Sequence, residues 1–186
     1  MTQETTAAGI GGIYAALANV SRRPRYACLV LQLVAEIADG RGQAGPYVRQ
    51  GAGRVLLRDW LCGQLIPISE QATRRAALRA RVVASLQDQL SGDPARDAAR
   101  IAQAVEDQVF AVGRANVSRA ISDLVRGGLV TRHYAGYATN HRNRGGGRHA
   151  VYVVQPDVLA CLRGGLGDAR KDRGMASAGS PAQQPR

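Results

Sequence analysis

Lysine is almost missing from this chain. It has 25 Lys and Arg residues in 186 and a net charge of +11, yet Lys171 is the only lysine. A GC-rich coding sequence produces that bias, and so does a need for guanidinium forks that grip phosphate and guanine bidentately. The ratio therefore decides nothing, and the position of the charge has to. Cysteine is also scarce. Cys28, Cys62 and Cys161 lie far apart with no C-x-x-C pair, which excludes a disulfide framework and a zinc module. Cys28 and Cys62 fall in apolar helical stretches, where a buried, inert thiol is expected. There is no apolar run long enough to span a bilayer and no secretory leader with a basic start, so a cytoplasmic protein is expected. Walker, H-E-x-x-H and G-x-S-x-G patterns are absent, and the 14 acids are scattered over helix faces, where solvation is their ordinary role. The G-I-G-G near the start has no strand before it and no acid at the right distance after it, so it is no dinucleotide fingerprint. The expectation is a non-enzyme that needs no cofactor and no metal.

What is present is a concentration of arginine. Between Ala111 and Val154 there are Arg114, Arg119, Arg126, Arg132, Arg142, Arg144 and Arg148 against one acid, Asp123, and the chain's histidines, His133, His141 and His149, are there too. Segment 85–110, just upstream, is acidic. Charge gathered on one stretch is the footprint expected of phosphate contacts. The histidines, spaced by eight residues on two strands, have no reason to converge on a metal.

The same stretch has a readable architecture. Val117, Ala120, Ile121 and Leu124 recur at i, i+3, i+4 and i+7, the apolar stripe of a helix. Gly113 stands where an N-cap would, and Gly127-Gly128 closes the helix with a residue that tolerates positive φ. Leu129–Tyr134 and Ala150–Val154 are rich in β-branched and aromatic residues and predict two short strands. The glycine- and arginine-rich run between them, H-R-N-R-G-G-G-R-H, predicts a long hairpin tip.

The run V-G-R-A-N-V-S-R-A-I-S-D-L-V-R-G-G-L-V resembles the recognition helix and first wing strand of bacterial winged helix-turn-helix regulators, the MarR group among them. The turn position usually held by glycine is Ala111, and the Asp-Arg pair common in MarR wings is replaced by the basic run. The resemblance implies a mainly α fold with a small β-hairpin wing, a winged helix-turn-helix with extra N-terminal helices. It implies a sequence-specific DNA-binding transcriptional regulator. Helix 114–126 would read the major groove, and wing 135–149 would contact backbone or minor groove. Arg114, Asn116 and Arg119 would reach bases, arginine pairing with guanine and asparagine with adenine. Ser118 and Ser122 suit phosphate or base contacts. Arg126, Arg132, Arg142, Arg144 and Arg148 complete the expected DNA-binding set. A plasmid or phage replication initiator, and an RNA-binding or protein-interaction module, are the alternatives that winged helices also serve.

The rest of the chain supplies helices. Residues 1–23 read as a flexible N-terminal arm, with at most a short helix from Tyr14 and a basic lead-in, Ser21-Arg22-Arg23-Pro24-Arg25. Residues 24–92 read as an N-terminal helical region for scaffold and dimerisation. It holds one amphipathic helix ending near Gly40, a glycine-rich loop over 40–53, a helix from Val55 closed by Ile66-Pro67, and a third capped by Ser69 and reaching Leu90. Trp60 is expected as a core anchor. Residues 93–163 read as the winged helix-turn-helix, opening with Asp93 as N-cap and Pro94 at N1 of a bracing helix that ends near Phe110. Gln155-Pro156-Asp157 starts a short last helix, and 164–186 reads as a disordered tail. The extra helices must bury their stripes, so a homodimer paired through the N-terminal half is expected.

Overall fold

A computed structural model describes residues 9–69, 72–135 and 149–171, with the side chains of 67–69, 72–73 and 165–171 left undescribed. The protein is mainly helical with a small antiparallel sheet.

The stretch read as a flexible arm is a helix, α1 (Ile10–Val20), with Ile13 and Leu17 fully buried one turn apart. Two large apolar residues at i and i+4 are enough to dock it. Ser21 ends it and accepts the Arg23 N–H on its hydroxyl. Pro24 then opens α2 (Pro24–Ile37), which buries Ala27, Cys28, Val30, Leu31, Val34 and Ala35. Arg163 donates into the carbonyls that follow α2, closest to Ala38 at 2.7 Å.

The glycine-rich run read as a loop over 40–53 carries strands. The Asp39 carboxylate accepts the N–H groups of Arg41 and Gln43, and Gly42 adopts φ +79°. A Cβ on Gly42 would stand 2.8 Å from the Val154 carbonyl oxygen, so glycine lets the chain enter the sheet here. β1 (Gln43–Ala44) pairs antiparallel with Tyr152 and Val153. β2 (Tyr47–Gln50) and β3 (Gly53–Leu56) form a separate hairpin. Val55 and Leu56, expected to open a helix, belong to β3. Backbone pairing partners decide this, and a helical stripe cannot show them.

Helix α3 (Leu57–Ser69) continues two residues past Pro67, because a proline removes its own ladder bond without forbidding the turn after it. Ser69 thus ends α3 and does not cap the next helix. α4 (Ala72–Leu86) stops short of Leu90 in a 3₁₀ turn, Gln87–Gln89. Asp93 is the expected N-cap of α5, accepting from the N–H groups of Ala95 and Arg96, with Pro94 at N1.

The main correction concerns α5, one unbroken helix over Pro94–Arg126. The bracing and recognition helices expected as two are a single element, with no turn at Ala111 and no N-cap at Gly113. Phe110-Ala111-Val112 offers no proline and no capping side chain, and extending a helix needs no new nucleus. The helix ends as expected, with Gly128 at φ +68° and the Leu129 N–H returning to the Leu124 carbonyl. β4 (Val130–Ala135) and β5 (His149–Val154) follow, and the sheet order is β1-β5-β4. α6 (Pro156–Lys171) buries Val158, Leu159 and Leu162. It carries the backbone through 164–171, read as tail, because its anchored first turns propagate. Residues 172–186 lie outside the described residues.

One core joins α1, α2, α3, the C-terminal half of α5, the sheet and α6, drawing on both sides of the expected boundary at 92/93. Trp60 packs at its rim. A second, small cluster of Val82, Ile101 and Val105 joins α4 to the N-terminal half of α5. No helix among the described residues is long and apolar enough to cross a membrane.

Candidate nucleic-acid interface

Helix α5 lays Val117, Ala120, Ile121 and Leu124 into the core, so its opposite face must meet solvent between Ala115 and Arg126. α2 begins beside that face. Together they form a groove of about 710 Å³ lined by Ser118, Arg119, Ser122, Asp123 and Arg126, with Asn116 at one end and Ser21, Arg22, Arg23 and Tyr26 opposite. Four arginines meet one carboxylate there, and that carboxylate, Asp123, is paired with Arg126.

Several groups in the groove are held in place. The Arg119 guanidinium donates to Asn116 Oδ1 at 3.2 Å, which presents the two side chains as a unit. Ser122 Oγ donates to the Ser118 carbonyl at 2.9 Å, so its lone pairs, and not its proton, are on offer. The Arg23 guanidinium stacks 4.8 Å from the Tyr26 ring centroid. Burial raises the Tyr26 phenol against the pull of Arg23, so it remains a neutral hydroxyl at pH 7. The charge balance of the groove is positive. Among the described residues no group of three or more His, Cys, Asp and Glu could hold a metal ion.

Of the expected DNA-binding residues, Asn116, Ser118, Arg119, Ser122 and Arg126 share this groove. Arg132 lies on β4, exposed, with its guanidinium 5.6 Å from the Tyr134 ring, and is not part of the groove. Arg142, Arg144 and Arg148, with most of wing 135–149, lie outside the described residues.

Arg114 points elsewhere. Its Nη2 donates to Asp59 Oδ2 of α3 at 2.9 Å and its Nε lies 2.7 Å from Oδ1. The second contact is a charge contact and not an aligned hydrogen bond, both atoms being buried with no other partner. The guanidinium also lies 4.8 Å from the Phe110 ring centroid. Arg114 therefore ties α5 to α3 and has no free fork for a base. Its spacing carried that signal: it precedes Val117 by three and Ile121 by seven, on the buried stripe.

Beside this pair α3 crosses α5 closely. A Cβ on Gly113 would stand 2.4 Å from Cys62 Sγ, and that thiol donates to the Phe110 carbonyl at 3.5 Å. Burial, opposed by Arg114, pushes the Cys62 thiol up, which keeps it protonated. Gly113 is thus a close-approach residue, and it is α3 that packs against residues 114–126 of α5.

Sequence reasoning missed Arg22, Arg23 and Tyr26 as part of the site. The signal was the S-R-R-P-R run, a basic lead-in whose partner across the groove only the fold supplies. No family model, curated protein or solved structure matches this chain.

Proposed function

We propose that the protein is a sequence-specific, double-stranded DNA-binding transcriptional regulator of the winged-helix type, acting in the cytoplasm as a homodimer. The groove carries the reading: a helix face bearing Asn116, Ser118, Arg119 and Ser122, flanked by arginines from a second helix start. The order α2, β1, α3, end of α5, β4, β5, with β1 joined to the C-terminal hairpin, is the order of a winged helix and supports it. Asn116 and Arg119 read base edges, as asparagine suits adenine and arginine guanine. Arg22, Arg23 and Arg126 hold phosphates on either side. Arg132 and the wing arginines Arg142, Arg144 and Arg148 extend the contact to backbone or minor groove.

The test is selection from a random duplex pool followed by titration of the recovered site. Arg119→Ala should cost about 1–3 kcal/mol there and relax preference at one base pair. Equal weakening on every sequence would make Arg119 a phosphate contact, and preference for structured RNA over duplex would overturn the reading. The homodimer pairs through the N-terminal half, where Ile10 and Tyr14 leave apolar surface exposed on α1. Sedimentation of the full-length chain should show a dimer, and a monomer would remove that part.

A further inference from the structure

The reading segment has a basic neighbour with no counterpart in a helix-turn-helix. A second cavity, of about 310 Å³, opens between the end of α3, α4 and the middle of α5. Arg74 and Arg81 of α4 line it over an apolar floor that includes Leu78 and Val112, and its lining contains no acid. Arg23 and Asn116 belong to this cavity and to the reading groove alike, so the two are continuous.

Helix α4 carries Arg74, Arg75, Arg79 and Arg81 and no acid. Like charges one turn apart, as at Arg75 and Arg79, oppose helix formation. The fold answers part of this, since Arg75 pairs with Glu106 of α5. Arg74 and Arg81 are exposed and form no ion pair among the described residues. They are seven residues apart, two turns along one face, and that face opens on the path leading away from Asn116. Two exposed arginines with no ion pair among the described residues thus stand where a polyanion running out of the reading groove would pass.

We propose that α4 is a second phosphate-binding element: a duplex held against the reading face continues past Arg23, and Arg74 and Arg81 grip its backbone. This rests on the DNA-binding reading above. The α4–α5 excursion, standing where a helix-turn-helix has a short turn, lengthens the footprint along the duplex. It adds affinity for any sequence and no base discrimination, because guanidinium on phosphate carries no sequence information.

The experiment is a salt titration of full-length protein on a labelled random-sequence duplex. A length on the order of 30 base pairs exceeds what the roughly 50 Å of α5 can span. Two lost phosphate contacts lower the slope of log K against log[salt] by about 1.8, so between about 50 and 200 mM salt the wild type should lose roughly tenfold more affinity than Arg74→Ala/Arg81→Ala. The Arg74→Lys/Arg81→Lys variant, which retains the charge, should keep the slope. Arg79→Ala is the internal control, since Arg79 lines a different cavity together with Glu106, and it should leave the slope unchanged. These positions are on the helix surface, and a thermal melt confirms that each variant folds. A wild-type slope in the double alanine variant overturns the inference, as does an equal drop in Arg79→Ala. If the double variant is silent while Arg119→Ala still alters site preference, only this inference falls. If the wild type binds no duplex, the DNA-binding reading falls and takes this inference with it.

Discussion

The two halves of α5 are one helix by hydrogen bonding and two different objects by packing. From Arg114 to Arg126 it buries Val117 to 1%, Ile121 to 2% and Leu124 to 0% exposure, in a core fed by three other helices before it, the sheet and α6. From Pro94 to Gly113 it buries only Ile101, at 9%, and Val105, at 4%, against Val82 of α4. Continuity of the backbone ladder does not equalise them. In water a helix depends on the apolar face it buries, so stability should step down where the core ends, near Gly113.

The sharpest test is a pair of truncations. Leu124→Ala should destabilise the whole protein by about 2–5 kcal/mol, since the cavity lies where many elements meet. Val105→Ala should cost less, about 1–2 kcal/mol for the two methyl groups removed, and hydrogen exchange should localise the damage to α4 and residues 94–109. Equal acceleration in α2 and α3 for both variants would break the comparison and make the helical hairpin part of one cooperative unit.

The junction comes next. Alanine is a better helix former than glycine by up to about 1 kcal/mol, yet Gly113→Ala should destabilise by about 1–3 kcal/mol, because its methyl group meets Cys62. Adding Cys62→Ala should recover most of that loss in a double-mutant cycle. If Gly113→Ala stabilises the protein, the close crossing of α3 on α5 is wrong.

Arg114 separates support from reading. Its side chain is 43% exposed and that of Asp59 is 21%, so Arg114→Ala should cost no more than about 1 kcal/mol of stability after solvent screening. It should leave the salt slope of DNA binding unchanged, because the guanidinium is spent on Asp59. A slope reduced by about one unit would place Arg114 on a phosphate.

The smallest effect belongs to the far end of the helical hairpin. The Ser91 N–H, with help from the Ser91 hydroxyl and the Gly92 N–H, holds the Asp97 carboxyl below its usual range. A carboxylate with a depressed folded pKa stabilises above its unfolded pKa, about 3.9 for Asp, and that contribution is lost as pH falls through the folded value. Amides of Ser91 and Gly92 should therefore stay protected at pH 6 and gain exchange, corrected for intrinsic rate, only well into acid. Asp97→Asn should show weaker protection at pH 6 already, and identical profiles for the two proteins would count against the hydrogen bonds of Ser91 and Gly92 to Asp97.

Several features could be read without the fold because they are local. The apolar stripe at 117–124, the Asp93-Pro94 start, the Gly127-Gly128 stop and strands β4 and β5 depend on neighbours within one turn or one hairpin, where period and capping chemistry suffice. The gathering of arginine around 114–132 is equally local and pointed to Arg119 and Arg126 of the groove, while Asn116, Ser118 and Ser122 came with the resemblance.

What lay beyond reach was every decision between distant partners. The Asp59–Arg114 pair spans 55 positions, and no periodicity announces it, although the stripe position of Arg114 hinted that it faced inward. Arg22 and Arg23 become part of the groove only when α2 starts beside α5. The close crossing at Gly113 is decided by α3, whose Cys62 occupies the space a side chain would need. The sequence by itself determined the apolar stripes of α2 and of the end of α5 and where positive charge gathers, since a stripe follows from the helical period and charge from the residues themselves. Only the tertiary structure decided which helix packs against residues 114–126, which arginines are spent on carboxylates and which stay exposed, because those outcomes depend on pairs of side chains that the chain order keeps apart.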